Sequence, residues 1–252
     1  MNSSPTTPVN LEMKGQEYYQ LVKCLEDPFP ASEVQERLTE IKKILNGRIF
    51  DMARFSYPER NKNQSGDFIL VQMKSDLLNS TIKTDFQIYY DLYESRFGDV
   101  TIASTDQGIC FVDFIDDRGV DPELNLRNEF PNASLKKQTE IVHINALERI
   151  NYPGRSYQPI TLHLKCTNFQ FEVWEQLLSI SFGQISSYGM IAAVLKKPGA
   201  SRAVGTAIGS NPIGYIIPCH RVMPASGKPG GFRWGVKRKA IMLASELKPK
   251  TK

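Results

Sequence analysis

One change of rhythm along the chain limits its architecture more than any other feature. From Phe86, apolar and polar residues alternate roughly with period two in Phe86-Gln-Ile-Tyr-Tyr-Asp-Leu. Two further β-rich runs, Val100-Thr-Ile-Ala-Ser and Ile109-Cys-Phe-Val-Asp-Phe, follow short turns at Phe97-Gly98 and Asp106-Gln107-Gly108. Three runs at this spacing predict an antiparallel meander. Residues 121–130 add a helix, and Ile160-Thr-Leu-His-Leu-Lys adds another strand. From Thr167 the period becomes helical. Thr167 and Gln170 make a capping box that opens Phe169-Gln-Phe-Glu-Val-Trp-Glu-Gln-Leu-Leu. Val173, Leu177 and Ile180 mark its core face, which Trp174 joins or flanks. Tyr188 to Val194 and Ala200 to Ile208 are short helices separated by the breaker Lys196-Lys-Pro-Gly. That pattern fits a helix-turn-helix, and also many ordinary helical hairpins. The expectation is an α+β fold.

The first 84 residues are less legible. Residues 1–14 are polar, contain proline and read as disordered. A short helix is expected over 15–26 and a better one over 32–46. There Ser32 and Gln35 make a capping box, Val34, Leu38, Ile41 and Leu45 share a face, and Gly47 can end the helix. Residues 57–66 read as a loop, and 67–80 fit strand or helix equally. The chain therefore divides into an extension of unknown role (1–84), an α/β half (85–166) and a helical half (167–252).

With 252 residues, 41% hydrophobic and 23% charged, the composition is that of an ordinary globular protein. No apolar run approaches the ~20 residues of a membrane span. The N-terminus lacks the basic-then-apolar pattern of a secretory signal, so an intracellular protein with no membrane partner is expected. The four cysteines, Cys24, Cys110, Cys166 and Cys219, are irregularly spaced with no CxxC, and the histidines are His143, His163 and His220. Neither a disulfide framework nor a metal cluster fits that set. Cys110 lies within an expected strand and reads as core.

The net charge of +4 hides a division. Residues 181–252 hold 12 Lys or Arg against one acid, Glu246, for a net +11, and the remainder carries −7. Such asymmetry points to a polyanion near the C-terminal third. Residues 248–252 read as a solvated tail. The rest of the segment interleaves its charges with glycine, alanine and aromatics, which favours a nucleic-acid surface. The helix Ala200-Ser-Arg-Ala-Val-Gly-Thr-Ala-Ile fits this surface, because its side chains are small apart from Arg202. A smooth helix allows close approach to a groove, and a lone long cation can reach between bases. Close packing against another helix is the plainer reading of the same residues.

Within the basic segment, residues 218–222 read Pro-Cys-His-Arg-Val. Pro218 suits the first position of a short helical turn, which would put Cys219 among free N–H groups that favour a thiolate. His220 supplies a candidate base and Arg221 a cation. Most cysteines of this kind are buried and inert. Neighbouring side chains also face apart, so activation of Cys219 by His220 would need a bridging water and a third group to orient the imidazole.

Several motifs in order resemble the O6-alkylguanine-DNA alkyltransferase family. They are Thr167-Asn-Phe-Gln-Phe-Glu-Val-Trp, Ser187-Tyr-Gly, Ala203-Val-Gly-Thr-Ala-Ile-Gly-Ser-Asn-Pro, Ile217-Pro-Cys-His-Arg-Val and Gly230-Gly-Phe-Arg-Trp-Gly, within a match from about 87 to 247. The resemblance implies a ribonuclease H-like N-terminal half on a small antiparallel sheet, then an all-helical DNA-binding half with a helix-turn-helix. It implies a monomer that acts on alkylated duplex DNA through the minor groove, flips the damaged base and uses no cofactor. The compartment would be the cytoplasm of a prokaryote or the nucleus of a eukaryote. Cys219 would accept the alkyl group from guanine O6, with thymine O4 as a further substrate. His220 would act through a water, Glu246 would orient His220, Asn211 would brace the turn, and Tyr188 would donate to guanine N3.

The same resemblance places Arg202 in the duplex, with Ala200, Ser201, Ala203, Gly205 and Thr206 beside it on the DNA. It lines the pocket with Tyr188, Val222, Phe232, Arg233, Gly214 and Trp174. The main-chain carbonyls of Cys219 and Val222 would accept from the exocyclic amine. Three positions depart from the family's pattern. Phe232 stands where tyrosine is common, Cys166 where glycine is common, and Gly214 leaves room for a bulkier alkyl group. A damage sensor that flips without transfer and a cysteine hydrolase are the rival readings. Cys219 itself argues against the first, and one-to-one labelling would exclude the second.

Overall fold

A computed structural model describes residues 67–73, 86–115, 121–153, 155, 157–226 and 230–246. The helices expected over 15–26 and 32–46, the loop at 57–66 and both chain ends lie outside the described residues.

Strand β1 (Phe68–Gln72) is followed by β2 (Gln87–Tyr93), β3 (Val100–Thr105) and β4 (Gly108–Phe114). Then come helix α1 (Pro122–Glu129), β5 (Ser134–Lys137), α2 (Ile141–Asn151) and β6 (Ile160–Leu164). The meander β2-β3-β4 is antiparallel, as its short connecting turns predict. It forms the middle of a larger mixed sheet of order β1-β6-β4-β3-β2-β5, in which β1–β6, β4–β6 and β2–β5 run parallel. β1 draws residues 68–72 of the extension into this sheet, so the folded body begins before residue 85. Where β4 meets β6 the backbones come very close: a Cβ on Gly108 would lie 2.4 Å from the Thr161 carbonyl oxygen, so only glycine fits.

β3 and β4 are buried along their whole length, polar Thr101, Ser104, Thr105 and Asp113 included. One face packs Ala103, Cys110 and Phe111 against Leu126 and Phe130 around α1. The other packs Val100, Ile102, Ile109, Val112 and Phe114 against Ala146 and Ile150 of α2 and against the helical half. At the start of α2, Glu140 N–H donates to His143 Nδ1 at 3.3 Å. His143 also meets the Tyr93 hydroxyl at Nδ1 (3.0 Å) and Ser104 Oγ at Nε2 (2.9 Å). His163 pairs with Thr105 Oγ1 at 2.8 Å.

The second half begins with α3 (Asn168–Leu178), whose Thr167–Gln170 capping box forms in both directions. A two-residue strand β7 (Ser186–Ser187) leads into α4 (Tyr188–Val194), and α5 (Ser201–Gly209) follows. Between these helices Lys196 takes φ 58°, a left-handed turn that ends α4 just before Pro198. After a 3-10 turn at Cys219–Arg221 come β8 (Val222–Met223) and α6 (Val236–Glu246). β7 and β8 pair in parallel, so this half carries a short ladder among its helices.

Candidate active site

The segment between α5 and β8 hangs on the central sheet. Val112 N–H donates to Pro212 O at 2.9 Å, and Gly214 N–H returns a bond to Val112 O at 2.8 Å. Asn211 then ties the segment to itself. Its Oδ1 accepts from Ile213 N–H at 2.9 Å, and its Nδ2 lies 3.1 Å from Ile213 O, 3.0 Å from Ile217 O and 3.2 Å from Cys219 Sγ. One buried amide therefore holds the turn and donates to the sulfur.

The local geometry at Cys219 differs from the expectation. Pro218 sits just before the 3-10 turn, with φ −80° and ψ 59°, and Cys219 N–H is spent on Ile217 O at 2.7 Å. That is an inverse γ-turn rather than an open helix start. Burial pushes the Cys219 thiol up, against the Asn211 hydrogen bond and the charges of Lys239 and Arg233, which pull it down. Ionisation must come from neighbouring groups rather than from a helix N-terminus.

Those groups are present. His220 is fully buried and donates from Nε2 to Glu246 Oε1 at 2.8 Å. Burial lowers its pKa and outweighs the opposing pull of Glu246, so the ring is neutral. With its one proton on Nε2, Nδ1 keeps a lone pair, and Nδ1 has no protein partner among the described residues. Burial alone would push the Glu246 carboxyl up, but Arg221 and His220 hold it down to about 2. Arg221 does so in bidentate fashion, with Nε to Oε2 at 2.7 Å and Nη2 to Oε1 at 2.9 Å. Its Nη1 reaches Ile180 O at 2.6 Å. Gly183 N–H adds a longer contact to Oε2 at 3.4 Å.

Sequence reasoning missed Lys239, which is only 1% exposed. Its Nζ donates to Val222 O at 2.7 Å and lies 6.0 Å from the Phe232 ring centre. Burial draws its pKa down to about 8, against the attraction of Cys219. Lys239 and Glu246 are seven residues apart on α6, two helical turns, so both reach the same site from one face. That spacing was a readable signal. Tyr215, stacked on His220 with centroids 5.1 Å apart, was also missed.

The remaining expected residues divide. Tyr188 is half-buried, and burial together with Cys219 pushes its phenol up, so it stays a donor. Phe232 packs edge-on against Trp234 at 5.2 Å, and Arg233 lies 3.7 Å from Asp113. The Val222 carbonyl already accepts from Lys239 and the Cys219 carbonyl from Val222 N–H, which leaves one lone pair on each. On α5, Arg202, Ala203 and Thr206 are exposed, whereas Ser201, Gly205 and the adjoining Ala200 are partly buried. Gly205 faces the Tyr188 ring, so it brings α5 close to that side chain instead of standing clear of it. Cys166 packs against the core, and burial raises its thiol to about 11.

Two pocket positions are corrected. Trp174 is 1% exposed and donates from Nε1 to Ala207 O at 2.7 Å, so it fastens α3 to α5 within the core. A Cβ on Gly214 would lie 2.9 Å from Phe114 Cε2, 3.0 Å from a Trp234 ring carbon and 3.0 Å from Val112 O. Gly214 permits tight packing on the sheet and leaves no free space for a larger alkyl group. Among the described residues no group of His, Cys, Asp and Glu could hold a metal ion.

Residues 168–248 match the profile described as 6-O-methylguanine DNA methyltransferase, DNA binding domain, and residues 88–142 match the ribonuclease-like domain of the same enzyme. A methylated-DNA–protein-cysteine methyltransferase of Haemophilus influenzae is 34% identical over 64% of this chain and 88% of its own length. One from Mycobacterium tuberculosis is 51% identical over 34% of this chain, and there the match spans only about half of the relative, 53%. The crystal structure of Mycobacterium tuberculosis OGT in complex with DNA superposes with a TM-score of 0.53 at 32% identity, covering 63% of this chain and 92% of that one. Two matched domains in the same order, with a relative covered almost end to end, show that the chain belongs to the 6-O-methylguanine DNA methyltransferase family.

Proposed function

We propose that the protein repairs DNA by moving an alkyl group from O6 of guanine in duplex DNA to Cys219 Sγ, once per molecule. The observation that carries this reading is a buried, neutral imidazole held by an ionised carboxylate and next in sequence to the buried Cys219. Among the described residues His220 Nδ1 has no protein partner, and it takes the thiol proton through a water. The resulting imidazolium lies against Glu246, and Lys239 supplies positive charge near the thiolate. The sulfur attacks the alkyl carbon, the carbon–O6 bond breaks, and its electron pair stays on the purine. Tyr188 donates toward N3 as that charge develops. A proton then reaches the purine, so the net exchange is thiol hydrogen for alkyl group. The thioether has no good leaving group, which ends the reaction after one turnover.

O6 is hard to reach in stacked DNA, so the base must leave the duplex. α4 and α5 act as a helix-turn-helix in the minor groove, with Arg202 entering the gap. The exposure of Arg202, Ala203 and Thr206 and the neighbour solved with DNA support that docking. Residues 85–166, joined by β1, serve as scaffold, and 167–252 carry binding and chemistry in a monomer. Thymine O4 offers the same bond to break. The test is titration with a duplex oligonucleotide carrying O6-methylguanine, followed by intact mass. One added methyl, about 14 Da, that saturates at one per molecule supports capture by a single nucleophile. No mass change, or continuing turnover, contradicts it.

A further inference from the structure

Tyr215 holds a conformation that an aromatic residue seldom adopts. Its φ is 64°, and Ile216 N–H closes a three-residue turn onto Gly214 O at 2.7 Å with Tyr215 at the centre. This is the rare, strained hand of the γ-turn. For a bulky residue such strain persists only where the surroundings impose it. What surrounds Tyr215 is a stack of rings. The Phe97 ring lies on one side at 4.9 Å, and the His220 imidazole lies parallel to the phenol, 1° off coplanar, at 5.1 Å. Phe97 in turn rests edge-on against Phe114 of β4. The phenol is buried, and among the described residues its hydroxyl has no hydrogen-bond partner, so contacts there do not explain the placement.

We propose that Tyr215 is a positioning residue for the base, its ring fixing the plane of the His220 imidazole and stabilising the imidazolium that forms there. The proposal rests on His220 acting as the base for Cys219. The bond from Nε2 to Glu246 fixes one point of the ring and leaves it free to rock about that bond. A parallel ring removes the remaining freedom, so Nδ1 keeps one direction. Once Nδ1 holds the thiol proton, the electron-rich face of the phenol attracts the new positive charge. The charged groups that bear on His220 are Glu246 and Lys239 from α6 and Arg221 from its own turn, beside Cys219. Arg96 of the β2–β3 turn and Tyr157 ahead of β6 bear on Tyr215 from the sheet half. None of these charges belongs to the ring, so a substitution at Tyr215 removes the ring and none of the charged groups.

The test compares Tyr215→Phe, Tyr215→Leu and Tyr215→Asn by the pH dependence of Cys219 alkylation with iodoacetamide, read by peptide mass. Asparagine tolerates a left-handed backbone, so it keeps the test readable if the leucine variant fails to fold. Without the ring, the thiolate–imidazolium pair is less stable. The midpoint should then rise by about half a pH unit, with about threefold slower reaction near neutrality. The phenylalanine variant keeps the ring and should keep the wild-type midpoint. If folded leucine and asparagine variants also keep that midpoint, the proposal is wrong. Wild-type protein that titrates normally yet takes no methyl from DNA would instead overturn the proposed function and leave this result standing.

Discussion

His143 in the sheet half and His220 in the helical half are both fully buried, and burial lowers the pKa of both, that of His143 to about 4. What separates them is the use of their second nitrogen. The two nitrogens of His143 meet Tyr93, Ser104 and Glu140 N–H, so the ring is a rivet between α2 and the sheet. His220 gives one nitrogen to a carboxylate and keeps the other without a protein partner among the described residues. The cysteines repeat the contrast. Cys110 is enclosed in the sheet and donates to Ala103 O at 3.6 Å, whereas Cys219 accepts from Asn211 and has cations nearby. Burial and a shifted pKa therefore do not mark a reactive group. An unspent valence backed by charge does.

Exchanging the paired residues tests this contrast most severely. Cys219→Ala should abolish transfer and retain DNA binding. Cys110→Ala should transfer normally and lose about 1–2 kcal/mol of stability through a small cavity. Single-turnover assays and denaturant melts would separate the two, and transfer lost in both would erase the distinction.

Next in size is Glu246→Gln, which leaves Arg221 buried without its counter-charge. It should lower stability by about 3–5 kcal/mol and slow transfer by about 10²-fold or more. The wild-type pairing also has a pH signature. A carboxyl held at about 2, against 4.5 unfolded, stabilises fully above 4.5 and loses that contribution as pH falls toward 2. Acid denaturation of the variant should lack this component. His143→Gln, by contrast, should cost about 1–3 kcal/mol through unsatisfied partners and leave the pH profile of transfer unchanged.

A smaller effect is expected at Lys239. Its amine titrates at about 8 in the fold and 10.5 unfolded, so the unfolded chain binds more protons between those values. Wild-type stability should rise with pH across that window, and that of Lys239→Met should not. The Cys219 thiol of the variant should also titrate higher. A thiol titration identical to wild type would remove Lys239 from the account.

Much of this was legible in the sequence. The meander, the Thr167 capping box and the paired short helices follow from local patterns, and the His220–Glu246 contact agrees with what the resemblance implied. The parts that were not legible depend on distant partners. β1 finds its hydrogen bonds on β6, and the exposed lysines of β5 give no apolar alternation to read. The direction of Gly214 depends on Phe114 and Trp234, which fold against it from elsewhere in the chain. The strained turn at Tyr215 has no sequence signature, because glycine or asparagine would be expected there.

The most direct measurement is peptide-resolved mass after wild-type protein has met excess O6-methylguanine duplex. The account requires the methyl on the peptide holding Cys219, with Cys24, Cys110 and Cys166 unmodified. Methyl on any other cysteine, or a bare Cys219 in folded protein, would contradict it.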